Sequence, residues 1–132
     1  MNFTTYRLTG DEKYVKNAVK HIDAWFLNSN TMMNPNLLYA QAIKGVATGR
    51  GIGIIDTIQL MEVVQGLLAM EKSKSLPRKT MEGAKKWFSS YLSWLTSHKY
   101  GIDEMNAKNN HGTCWVMQVC LVRSAAHCVT CD

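Results

Sequence analysis

The chain has 132 residues, of which 46% are hydrophobic and 19% charged, a balance that builds a globular core and excludes an intrinsically disordered chain. The net charge of +5 favours an anionic partner, but the 15 basic residues are scattered and form no dense Lys/Arg run, which argues against a nucleic-acid-binding arm. No apolar run approaches the roughly 20 residues of a membrane-spanning helix, so no membrane partner is expected, and Met1–Arg7 lacks the charged start and apolar block of a signal peptide.

The opening residues read as mid-domain sequence, with Tyr6 and Leu8 running straight into a helix start. One truncated domain over residues 1–132 is therefore expected. Thr9-Gly-Asp-Glu12 has the spacing of a capping box, a hydroxyl followed three residues later by a carboxylate. Tyr14, Val15, Ala18, Ile22, Trp25 and Phe26 then step by three and four along one face, which predicts a helix over 10–27. Asn28-Ser-Asn30 ends it.

Residues 28–54 read as a long connection carrying Gly45, Gly49, Gly51 and Gly53 around Arg50. Such a loop is functional, or it packs against a neighbouring helix. It is not a phosphate loop, because no Gly-Lys-Ser/Thr follows, and the glycine spacing does not suit a dinucleotide site. A second helix is expected over 55–71, apolar enough to be well buried, with Gly66 marking a close helix contact. Pro77 opens a third, running to Ser97, whose stripe is Met81, Ala84, Trp87, Phe88, Tyr91, Leu92 and Leu95. Trp94 falls off that stripe and reads as a surface aromatic. His98–Asp103 reads as a turn, and a fourth helix is expected over 112–126. The pattern is all-α, built of helical hairpins.

The stretch from Glu104 to Gln118 concentrates groups that can do chemistry: Asn106, Lys108, Asn109, Asn110 and His111. Asn suits a helix entrance, where its side chain caps free N–H groups and the local potential favours an anion. An amide can hold a carboxylate and a neutral imidazole can take a proton, so Asn109, Asn110 and His111 are candidates for meeting an acidic substrate. Cys114 with His111 has the spacing of a thiol–imidazole pair, but no orienting third group is evident. Cys128 and Cys131 form one close Cys-x-x-Cys pair beside His127, whereas a structural zinc site shows two clear ligand pairs. No metal site and no cofactor are expected.

Asn109-Asn-His-Gly112, followed by Trp115 and Gln118, resembles the Asn-Asn-His motif of the alginate lyase superfamily. Leu8–Tyr14, Trp25-Phe26, Met33–Asn36, Tyr39-Ala-Gln41, Gly49–Thr57 and Trp94-Leu95 match it in order, so the likeness runs over about residues 8–119. The tail from Cys120 does not resemble the family's continuation.

The resemblance implies part of an (α/α) toroid and cleavage of alginate or a related 1,4-linked uronate polymer by β-elimination. Asn110 would neutralise the substrate carboxylate, and His111 would assist it or act as base. Gln41 and Arg50 would contact substrate. A Tyr further along would be the general acid, supported by a downstream Arg, and no position of this sequence matches that Tyr. The implied partner is an acidic polysaccharide, and the implied location of the full-length protein is the periplasm or the exterior. The alternatives are a non-catalytic helical module that binds an acidic glycan or a protein, and a small Cys/His metal protein.

Overall fold

The structure is a computed structural model that describes residues 2–127. The described residues form helices α1 (Asn2–Thr9), α2 (Glu12–Ile22), α3 (Leu60–Met70), α4 (Arg78–Ser97), α5 (Lys99–Met105) and α6 (Asn110–His127), with a 3-10 segment over Gly51–Thr57. A wide π-helical turn, Asp23–Leu27, extends α2 to the predicted end, closed by Asn28 N–H on the Asp23 carbonyl at 2.8 Å. The only β feature among the described residues is an isolated bridge between Ile43 and Ala47. The all-α prediction holds.

The start of the chain differs from expectation. Residues 2–9 are a helix of their own, ended by Gly10 in the left-handed region at φ 66, with its N–H on the Tyr6 carbonyl. The cap of α2 is therefore Asp11 and not Thr9: its carboxylate accepts the Lys13 N–H at 2.9 Å. Glu12 does not complete a capping box. Its carboxylate accepts from the Ser73 hydroxyl and the Ser75 N–H, tying α2 to the break after α3.

The long helix is α4, and its predicted stripe is the middle of the core. Phe26 meets Trp87 edge-on at 4.8 Å, and Trp87 stacks on Tyr91 at 5.6 Å. Such aromatic pairs add about 0.5–1.5 kcal/mol each to the area they bury. Trp94 is not a surface aromatic; it is half-buried in a ladder between Tyr91 and His98, with its ring stacked 5.1 Å from the imidazole. Gly66 does mark a close contact, since a Cβ there would come within 2.9 Å of the Phe3 ring of α1.

Two boundaries moved. Helix 55–71 is split, because the 3-10 segment turns at Ile58 before α3 begins at Leu60. The expected turn at 98–103 is instead α5, capped by His98, whose Nδ1 accepts the Tyr100 N–H at 3.1 Å. Gly101 looked like a turn residue, yet it sits inside α5 because a Cβ there would lie 1.9 Å from the Leu95 carbonyl oxygen. The glycine lets α5 fold back tightly on the end of α4.

Candidate active site

The site is assembled around α5 and the start of α6. Asn109 precedes α6, and its side-chain oxygen accepts the His111 N–H at 3.0 Å. Asn109 is thus the cap that sets the helix entrance. Asn110, the first residue of α6, is exposed, and its carboxamide makes no hydrogen bond among the described residues. Lys108 is exposed beside it. Gly112 is buried, and a Cβ there would meet the Ala107 carbonyl at 2.1 Å, so the turn carrying these residues is drawn against α5.

His111 has a partner that sequence reasoning missed. Its Nδ1 lies 2.7 Å from a carboxylate oxygen of Glu104, whose side chain is only 7% exposed against 23% for the imidazole. A carboxylate can only accept, so Nδ1 carries the hydrogen and Nε2 keeps its lone pair in the neutral ring. The carboxylate also holds the ring plane. The signal available in the sequence was a Glu seven residues before the His, with a turn between them.

The glycine loop forms the second part. Three of its glycines lie against protein backbone and side chains: a Cβ at Gly49 would strike the Leu38 carbonyl at 1.8 Å, one at Gly53 the Ala40 Cβ at 2.4 Å, and one at Gly51 would crowd Tyr100 at 3.3 Å, whereas Gly45 stands in open space at φ 76. Of the two readings of this loop, packing against a neighbouring helix describes Gly51, which meets α5, while Gly49 and Gly53 pack on the loop's own residues 38–40. Arg50 is half-buried. Its Nε donates to the Gln41 carbonyl at 3.0 Å and its Nη2 to the Gln41 side-chain oxygen at 3.1 Å. No carboxylate among the described residues lies within ion-pairing distance of Arg50.

Helix α5 links the two parts. The Tyr100 hydroxyl at its start donates to the Gly49 carbonyl at 3.1 Å, and Glu104, one turn on, holds His111. One helical turn is about 5.4 Å, so a single rigid strut carries both attachments. A buried polar knot adds a second tie. The Gln118 amide, fully buried on α6, donates to the Ile54 carbonyl at 3.0 Å and accepts from the Tyr91 hydroxyl at 2.9 Å. Thr57 closes the knot, 3.0 Å from both Gln118 and Tyr91. Burial pushes the Tyr91 phenol up to about 12.

The thiol–imidazole alternative finds no support in the geometry, since no hydrogen bond joins the buried Cys114 thiol to the His111 ring among the described residues. Among the described residues no three His, Cys, Asp or Glu side chains cluster as a metal site. Cys128 and Cys131 lie outside the described residues.

A sequence model of the family described as alginate lyase matches residues 3–126. The chain belongs to the alginate lyase family. The match also covers residues 3–7 and 120–126, so the likeness does not stop near 119 as expected from the sequence. A solved structure, an alginate lyase from Bacteroides ovatus, is 35% identical with a TM-score of 0.89 over 96% of this chain. This chain spans 34% of the length of that one. The search of curated proteins found no match. The helical hairpins of this alginate lyase family member are part of an (α/α) toroid.

Proposed function

We propose that this chain carries the charge-neutralising and proton-abstracting groups of a polysaccharide lyase that cleaves alginate, or a related 1,4-linked uronate polymer, by β-elimination. The observation that carries the reading is the Glu104–His111 pair beside the free carboxamide of Asn110. In a uronate, the proton on C5 is acidic only when charge on the adjacent carboxylate is neutralised. Asn110 donates to that carboxylate, and the unpaired guanidinium of Arg50 offers a further anion contact along the polymer. His111, with Nδ1 held by Glu104, either presents Nε2 to the C5 proton or supports the carboxylate, according to the stereochemistry at C5. Loss of the proton leaves an electron pair that forms the C4–C5 double bond as the C4–O bond breaks. The leaving oxygen takes a proton.

Neither Tyr91 nor Tyr100 is free to supply that proton: one is buried in the Gln118 knot and the other is spent on the Gly49 carbonyl. By the family resemblance the step belongs to a tyrosine further along the chain, which no position of this sequence matches. The rival is a non-catalytic helical module that binds an acidic glycan.

The test is incubation with alginate while following the ultraviolet absorbance of the unsaturated uronate, with this chain and with a full-length chain that contains it. Absorbance gain that disappears in His111→Ala supports the lyase reading. Saturable, salt-sensitive binding without product in both proteins would favour the rival, and gain that survives intact in His111→Ala would remove His111 from the mechanism.

A further inference from the structure

Gln41 stands in an unusual backbone state for a side-chain-bearing residue, with φ at 48. That region costs a non-glycine residue roughly 1–2 kcal/mol and persists only where surroundings hold it. Three hydrogen bonds hold it here. The backbone carbonyl and the side-chain oxygen accept from Arg50, and the side-chain nitrogen donates to Asp56 at 2.8 Å. The orientation of the amide is unambiguous, because a guanidinium only donates and a carboxylate only accepts.

The consequence is electrostatic. The neutral amide stands between Arg50 and Asp56, so the acid is held on the far side of an amide and outside ion-pairing distance of the guanidinium. Two of the five guanidinium donors are used on Gln41, and the other three have no acceptor among the described residues. We infer that Gln41 is a positioning residue that fixes Arg50 and keeps it unpaired, so that the guanidinium stays available for a uronate carboxylate. This goes beyond the direct substrate contact first expected of Gln41, and it rests on the reading of Arg50 as an anion contact.

Gln41→Glu tests it with almost no change in shape; its second oxygen then faces the Asp56 carboxylate, which the amide nitrogen contacts at 2.8 Å, so the variant is made both alone and together with Asp56→Asn. A carboxylate at that position pairs with Arg50 through the same two atoms and cancels its charge. Affinity for alginate oligosaccharides of mixed composition should fall about tenfold at neutral pH. The loss should shrink as the pH drops through the titration of the introduced carboxylate, which Arg50 lowers and Asp56 raises, because the protonated acid is neutral like the amide it replaced. Arg50→Gln should lose as much, and Q41E/R50Q should be no worse than R50Q alone, since both act through one guanidinium. Gln41→Gly accepts a φ of 48 without strain and removes only the side chain; it should weaken binding with little change in thermal unfolding.

Wild-type affinity in Q41E or in Gln41→Gly, or additive losses in the double variant, would overturn the proposal. If the wild-type chain binds no alginate oligosaccharide, the reading of Arg50 fails, yet the claim about Gln41 is still decided by phenylglyoxal labelling of Arg50 read by mass spectrometry. Slower labelling in Q41E than in wild type supports it, and equal rates overturn it.

Discussion

The Glu104 carboxylate lies 2.7 Å from Nδ1 of His111 across the turn that joins α5 to α6. The contact gives a short helix a chemical task, because it sets which imidazole nitrogen faces outward. In Glu104→Gln the amide can serve either tautomer, so that control relaxes. The ring-nitrogen NMR spectrum of His111 should then show a mixture where the parent shows Nδ1–H alone. In a full-length lyase containing this segment, activity should drop about 100-fold or more. An unchanged tautomer with unchanged turnover would leave Glu104 a purely structural residue.

Gln118 is fully buried and ties α6 to the 3-10 segment and to α4. Gln118→Leu keeps the volume roughly constant and takes one partner each from the Ile54 carbonyl, the Tyr91 hydroxyl and Thr57, while Thr57 still reaches the first two. Urea unfolding should show a loss of about 1–2 kcal/mol, since each net hydrogen bond contributes about 0.5–1.5 kcal/mol and the groups left behind keep Thr57 as a partner. Tyr91→Phe removes one member while Thr57 still serves the Gln118 oxygen, so about 1 kcal/mol is expected. Equal stabilities for all three proteins would mean that water replaces the knot.

Gly49→Ala places a methyl group 1.8 Å from the Leu38 carbonyl oxygen. Backbone cannot yield as a flexible side-chain tip does, so the loop must shift. A stability loss of about 1–3 kcal/mol is expected, together with weaker oligosaccharide binding, because the Tyr100 bond to the Gly49 carbonyl and the seat of Arg50 move with it. Unaltered melting and binding would show that the loop relaxes without cost.

Acid should weaken the fold through α2. The Ser73 hydroxyl, then Ser75, hold the Glu12 carboxyl below its ordinary value of 4.5, and Lys13 likewise lowers that of Asp11 from 3.8. Their contribution is present above those ordinary values and is lost as the pH falls through the lowered ones. Glu12→Gln should therefore flatten the decline of thermal stability on acidification below about pH 4.5. Tyr91 acts at the other end: its pKa, raised from 10.0 to about 12 by burial, contributes stability below 10 that is lost as pH climbs toward 12. Tyr91→Phe should remove that alkaline slope, and a slope that persists would assign it to other groups.

Local pattern carried much of this protein. The three- and four-residue stepping of apolar side chains placed α2, α4 and α6, because helix periodicity depends only on neighbours along the chain. The Asn-Asn-His run at a helix entrance was visible for the same reason, and the ordered motifs around it pointed to the family. Helix α5 was hidden because Gly101 reads as a turn until the Leu95 carbonyl is seen against it. Glu104 was hidden because its partner lies on the next element, and Trp94 because its burial comes from stacking between rings, outside the helical stripe.

What the sequence by itself determined was the class of fold, the long helices and which residues are rich in chemistry. Only the tertiary structure decided which of them meet: His111 with Glu104, Arg50 with Gln41, and Gln118 with Tyr91 and Ile54. Periodicity says which face of an element is apolar. A hydrogen bond between side chains on different elements depends on how those elements cross, and that is set by the packing of the whole core.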